Sequence, residues 1–487
     1  MSSIKNPILP QNYYSTCYWR NTSGSATSIA ICNAANKADA PILMLCESNE
    51  IVEQFIRELN YFAQTIKSLP VFSLPDWETL PYDNFSPHQD IISERLSALF
   101  HLPKLTRGIL VLSISSLMHR LPPLQYITAN SLDLRVGQIL EIETIKNQLI
   151  LAGYQSVDSV FEHGEFAVRG SIIDIFPMGS SFPYRIDLLD EEIETLRIFD
   201  PESQRSDKQV QKIKLLPARE YPLDAHGIST FRKKFHELFD IDLRQCPLYQ
   251  DVSDGINSPG LEYYLSLFYE SLGSLFDFMP ANTIIVKFGH LKETGEKFWK
   301  DVEARYEEKL IDKYRPILTP DQVFIQTDVL LSQLKNYRQI EFKEHKTGID
   351  YKACALPNLA SNSRLANPFS ALKKFLSNHD VRTLFCAESP GRRESLIQTL
   401  KSAEINPSII GNVDQFLNSN TKLGITIAPL DEGMWLREEK LVLITEAQLF
   451  GNRVAQRRRR NKNEGNVDFI VKSLTELRID DAVVHVD

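Results

Sequence analysis

Gly24, Ser25, Ala26 and Thr27 lie in TSGSATSIAI (residues 22–31), between a strand-like run around Cys17–Trp19 and a short helical pattern. A phosphate-binding loop would sit at such a junction. It needs G-x-x-x-x-G-K-[ST]: glycines let backbone N–H groups wrap the phosphates, lysine neutralises them, and the hydroxyl reaches magnesium. Here Ser25 and Ala26 occupy the Gly-Lys positions, and Thr27 alone keeps its hydroxyl. Gly-Lys occurs nowhere in the chain. With the phosphate charge uncompensated, Ser25, Ala26 and Thr27 read as a degenerate loop that is not expected to bind nucleotide.

Other reactive patterns are weaker. LVLITE ends an apolar strand at Glu446, which reads as a helix cap or surface residue because no phosphate loop precedes it. Glu162, His163 and Glu165 have metal-ligand character, but Gly164 between them marks a surface turn and no further ligand is near in sequence. No catalytic residue and no metal site is expected: there is no G-x-S-x-G elbow, no H-E-x-x-H and no EF-hand loop. The six cysteines form no C-x-x-C pair and sit mostly in apolar runs, as reduced, buried side chains do.

A hairpin region carries more information. In YRIDLLD, alternation puts Tyr184, Ile186 and Leu188 on one face and Arg185, Asp187 and Leu189 on the other. Arg169 is expected in the neighbouring strand, beside Gly170, where a bulge would re-aim it. Arginines around a small apolar spot suit a protein-binding patch. The pattern alone equally describes, and rather favours, an ordinary solvated face.

These residues need elements to hold them. PILMLC (41–46) and GILVLSI (108–114) are short apolar runs, as buried parallel strands should be. Ser48 can cap a helix that places Ile51, Phe55, Ile56 and Leu59 on one face. Val71–Leu74 reads as a strand, PDWETLPYDNFSP as irregular, and residues 90–101 as helix, so residues 1–126 predict a doubly wound α/β domain. Residues 127–216 shift to the strand alternation of a small antiparallel-sheet domain. Residues 217–350 read as mostly helical, with an aromatic-dense stretch at 260–280. Lys346–Pro368 reads as a linker, and 351–452 as a second small α/β domain. Residues 453–487 read as a basic connector in which Arg457–Arg460 form a solvated run. The final DAVVHVD stops within a strand-like run, so a longer natural chain is expected.

Length and charge bound the possibilities. The chain has 487 residues, enough for three or four domains. At 43% hydrophobic and 24% charged it is an ordinary globular mixture, not a disordered or fibrous one. The net charge of −9 argues against wholesale nucleic-acid binding. No apolar run is long enough for a bilayer, and MSSIKNPILPQNYY lacks the form of a secretory signal. A cytoplasmic protein without membrane contact is expected.

PDWETLPYDNFSPHQDIISERL (75–96), HGEFAVRGSIIDIFPMGSSFPYRIDLLDEEIETLRIFDPESQRS (163–206) and GLEYYLSLFYESLGSLFDFMP (260–280) closely resemble the bacterial transcription-repair coupling factor (Mfd) family. The resemblance runs along nearly the whole chain, and its first third and central sheet also resemble the excinuclease subunit UvrB. It implies the N-terminal portion of an ATP-dependent DNA translocase that acts on stalled RNA polymerase and recruits excision repair through UvrA. The implied fold is a degenerate RecA-like, UvrB-like α/β module (1–126 and 217–350) with an inserted UvrA-binding domain. Residues 453–487 would begin a polymerase-interacting domain.

Further implications follow from the same resemblance. The UvrA-contacting residues map to Arg169 in A-V-R-G, Arg185 in P-Y-R-I-D and, at a position where the family has an aromatic, Leu189. This turns the hairpin reading from a solvated face to a docking surface, with both arginines pairing to the partner's acids and Leu189 packing between them. No cofactor is implied for this chain. ATP and magnesium serve the full-length protein, which also binds double-stranded DNA and masks this face with its C-terminal domain. The rival expectation, from the α/β layer, is a nucleotide-dependent UvrB-like nucleic-acid enzyme.

Overall fold

The structure is a computed structural model and describes residues 2–64, 66, 69–343, 348–362, 364 and 367–451. Arg457–Arg460 and the expected connector at 453–487 lie outside the described residues. The chain opens with β1 (Thr16–Thr22), β2 (Ile42–Cys46), β3 (Val71–Ser73) and β4 (Ile109–Ser113). An inserted region supplies β5 (Leu132–Arg135), β6 (Gln155–Ser156), β7 (Glu165–Arg169), β8 (Ile172–Ile175), β9 (Tyr184–Leu189), β10 (Glu192–Phe199), β11 (Ser206–Val210) and β12 (Lys212–Leu215). The chain then returns through β13 (Ile284–Lys287), β14 (Arg338–Phe342) and β15 (Ile349–Cys354). It continues with β16 (Arg382–Ala387), β17 (Ser408–Ile409), β18 (Leu423–Ile427), β19 (Met434–Leu436) and β20 (Leu441–Thr445).

Among the described residues, one twelve-stranded sheet runs β17-β18-β16-β20-β19-β15-β1-β14-β13-β2-β4-β3. Its pairs are parallel except where β19 runs antiparallel to β15 and β20. Both faces of the early strands are covered, as their apolar runs require. Ile42, Met44 and Cys46 enter one core while Leu43 and Leu45 enter another. Ser48 caps its helix by accepting from Ile51 N–H at 3.4 Å, and that helix buries Phe55 and Leu59.

Two expectations change. Residues 217–350 contain β13 and β14, which sit mid-sheet between β1 and β2; two short strands inside a long helix-patterned stretch left little periodic trace. The expected linker at 346–368 contains β15, which pairs with β1 on one side and β19 on the other. The core follows the sheet: Ala26, Ala30 and Phe55 share one cluster with Leu384, Val413 and Met434.

The irregular PDWETLPYDNFSP loop is held by the aromatic-dense stretch. Tyr263 donates its hydroxyl to Leu80 O at 2.7 Å and packs edge-on to Trp77 at 5.1 Å. Arg95, fully buried over the Trp77 ring, joins Glu220 at 2.7 Å. This ties the α/β layer to the segment that leaves the inserted sheet.

Glu262 lies in the same stretch, buried and held by the Ser86 hydroxyl at 2.9 Å. Burial, with the nearby Glu220 charge, pushes its carboxyl up from 4.5 to about 7. The folded state therefore favours the protonated form. Stability from this group is full below pH 4.5 and falls as pH rises toward 7. Glu262→Gln should match the native chain near pH 4.5 and exceed its stability above pH 7 by up to about 3 kcal/mol. Urea melts across that range check this; parallel pH profiles would refute it.

Candidate docking face

The inserted six-stranded sheet runs β11-β10-β9-β8-β7-β6. Register places Val168, Ile173, Ile186 and Leu196 side by side on the face that packs into the main core. The opposite face carries the row Ala167, Asp174, Arg185, Arg197 and the row Arg169, Ile172, Asp187, Thr195. Two-residue turns close both hairpins, with Gly170 and Asp190 at positive φ of 63° and 56°. Those turns match the right-handed twist of the strands.

Asp174 organises this outer face. It is only 2% exposed, although its face looks outward, because a satellite cluster of Val160, Ala167, Phe176 and Phe199 forms there. Arg185 grips it with a two-pronged fork, Nε to Oδ1 at 2.7 Å and Nη2 to Oδ2 at 2.9 Å. The same guanidinium lies 5.1 Å over the Phe199 ring and reaches Gln204 O at 3.3 Å. The hydrogen bonds to Asp174 raise its pKa further, so it stays charged. Arg169 is held loosely, 3.7 Å from Asp174 Oδ2 and 3.4 Å from Ser159 Oγ.

The three residues singled out from sequence share one face but not one role. Arg169 is 49% exposed and available. Arg185 is 18% exposed and committed to Asp174, so it does not reach outward as a free partner for another protein's acid. Leu189 is 63% exposed at the end of β9. Asp187 separates it from Arg185, and four residues of strand put the two about 13 Å apart. It therefore does not pack between the arginines as expected. Arg169 is also not in the strand beside Arg185, since β8 runs between them. Gly170 makes a hairpin turn there, not a bulge.

Sequence reasoning places Asp187 on this face without giving it a partner and misses Asp174 and Arg197; the alternation of IIDIF is the signal that points Asp174 outward. Asp174→Ala should strand the half-buried Arg185 and cost about 3 kcal/mol of stability, and Arg185→Ala a similar amount. Arg169→Ala should change stability by less than about 0.5 kcal/mol. Denaturant melts of the three variants check the order; equal costs would show that Asp174 is not the support.

Residues 24–27 have a different fate. Ser25 and Ala26 are fully buried at the start of the helix Ala26–Lys37, which is longer than expected, and the Thr27 hydroxyl donates to Thr22 O. Ser25 N–H donates to Glu432 O at 3.0 Å. Gly24 has φ +60°, and a Cβ there would lie 1.9 Å from Gly433 O. A turn of the second α/β unit thus covers the helix end where phosphates would bind. Arg57 clamps that turn through Asp431 at 2.7 Å. Glu446 is the buried first residue of a helix capped by Thr445 and pairs with Arg392 at 2.7 Å, so it is neither a cap nor a surface residue. Glu165 accepts from Phe161 and Glu162 N–H at 2.7 and 2.8 Å, and His163 bridges Asp90 and Ser180 O at 2.7 Å each.

Comparison with known proteins bears on this geometry. Residues 132–221, which contain the six-stranded sheet, match the UvrB interaction domain, and residues 375–449 match the MFD D3 domain. The transcription-repair-coupling factor of Haemophilus influenzae is 40% identical over 430 residues, 87% of this chain and 37% of the relative. That of Escherichia coli is 38% identical over 474 residues, 96% of this chain and 40% of the relative. The Bacillus subtilis protein of the same name is 25% identical over 490 residues. The chain spans about two-fifths of the length of these curated relatives. With both domain matches and this identity along most of its length, the chain is similar to a stretch of about two-fifths of the transcription-repair-coupling factors.

Proposed function

We propose that the outer face of β7–β10 docks UvrA and so brings nucleotide excision repair to RNA polymerase stalled at a lesion. The observation that carries the reading is the grouping of Arg169, Arg185 and Leu189 on one face of a sheet that matches the UvrB interaction domain. Arg169 supplies a mobile, hydrated guanidinium that can pair with a partner carboxylate. Arg185, fixed on Asp174, supplies positive potential and rigidity in place of a new ion pair. Leu189 contributes apolar area at the hairpin end, with less contact than an aromatic ring would give.

In the same reading the chain acts as a non-catalytic adaptor. Its α/β layer is a degenerate RecA-like, UvrB-like module, and the cover over Ser25 by Glu432 supports a crevice without nucleotide. ATP- and magnesium-driven translocation on double-stranded DNA, contact with RNA polymerase, and masking of the docking face by a C-terminal domain are assigned to the whole protein, acting in the cytoplasm.

Titration of a fluorescent ATP analogue with magnesium should give no saturable signal; saturation would overturn the non-catalytic reading. Calorimetric titration of UvrA should show binding that Arg169→Ala weakens about tenfold, equivalent to about 1.4 kcal/mol, at unchanged melting temperature. Leu189→Ala should cost about 1 kcal/mol. Native-like binding by both variants would move the interface off this face.

A further inference from the structure

We infer that Arg197 is a third arginine of the docking face, held in place by Asp187; the inference rests on the UvrA reading above. Strand register puts Arg197 directly opposite Arg185 across the β9–β10 pair, on the outward side. The side chain is 36% exposed, intermediate between the committed Arg185 and the mobile Arg169. Its Nη2 and Nε meet Asp187 Oδ2 at 2.6 and 3.1 Å. The Thr195 hydroxyl donates to the same oxygen at 2.5 Å.

Three donors converging on one carboxylate oxygen fix Asp187, and Asp187 fixes the guanidinium plane. The arrangement again sets an arginine on a cross-strand aspartate, here diagonally and with Nε and Nη2 both on one oxygen instead of a fork onto two. It differs in its greater exposure, so part of the Arg197 fork remains open to a partner. By register Arg197 is level with Arg185, and Arg169 is level with Asp187, two residues nearer the apolar end of the face. The face therefore presents a loose arginine on β7, a buttressed one on β10 and an apolar tip at the β9–β10 turn. The complementary surface on UvrA carries two separated carboxylates and an apolar contact apart from both.

The guanidinium fork, and not charge alone, is required, because a lysine presents one point donor where Arg197 presents a plane. Asp187 acts through Arg197 and is a positioning residue. Its effect on binding must therefore vanish when Arg197 is absent, whereas a general structural role would persist.

The test is calorimetric titration of UvrA into the chain and into Arg197→Ala, Arg197→Lys, Asp187→Asn and the Arg197→Ala/Asp187→Asn pair, with Arg169→Ala alongside. Melting temperatures report folding. Arg197→Ala is expected to weaken binding about tenfold and Arg197→Lys to recover less than half of that loss. Asp187→Asn should weaken binding about threefold in the native background and not at all beside Arg197→Ala. Native-like affinity of Arg197→Ala while Arg169→Ala is weakened would overturn this inference and leave the docking reading standing. Native-like affinity of both variants, or no binding by the native chain, would overturn the docking reading itself. An Asp187→Asn effect that survives beside Arg197→Ala would overturn the positioning role.

Discussion

Strand β1 is hydrogen-bonded on both sides, and the rest of the arrangement depends on that. On one side it pairs with β14 and on the other with β15, both in parallel. The second pairing draws the 375–449 unit against the first α/β layer and merges their sheets and one of their cores. Trp19, fully buried in β1, marks the seam: its ring lies 5.0 Å from Tyr351 and 5.8 Å from Phe342. Once the seam closes, the turn at 431–433 has one place to go, over the end of the Ala26–Lys37 helix. There a backbone carbonyl meets one of the helix-end donors, Ser25 N–H donating to Glu432 O at 3.0 Å.

The inserted sheet solves a different problem. A charged face on a small sheet is ordinarily soft, because long side chains wander and screen one another. Here the carboxylates are the less exposed members and the arginines the more exposed ones, in both Asp174–Arg185 and Asp187–Arg197. Burying the acid under its base fixes the cation's direction and leaves the guanidinium as the outer member of each pair. The Arg95–Glu220 pair performs a comparable service inside, where no solvent competes, by joining the helix 89–101 to the segment beyond the sheet.

Much of this was legible from the residues. PILMLC and GILVLSI declared buried strands because nothing else tolerates unbroken apolar runs so short, and the alternation of YRIDLLD correctly separated Ile186 and Leu188 from Arg185 and Leu189. What stayed hidden depended on distant pairing. β15 lies in polar text, and its pairing with β1 and β19 is something local composition does not report. The sharing of Asp174 by two arginines needed the knowledge that β8 separates β7 from β9. Aspartate in an apolar strand signals an outward position, and only register says which cation meets it. Glu432 over Ser25 joins residues some four hundred apart, beyond any sequence pattern.

The two-sided pairing of β1 also sets a timetable for synthesis. The strand leaves the ribosome well before its partners β14 and β15, which begin at Arg338 and Ile349. At about 5–20 residues per second, β1 waits roughly 15–60 s for a neighbour. During that interval β2 and β4 can pair with each other, but the central gap of the sheet stays open and its apolar edges exposed. The inserted sheet, whose strands pair almost entirely among themselves, can be complete well before then. Nascent chains of this kind present a finished inserted sheet on an unfinished scaffold, which makes the emerging β1 edge the segment most in need of chaperone cover.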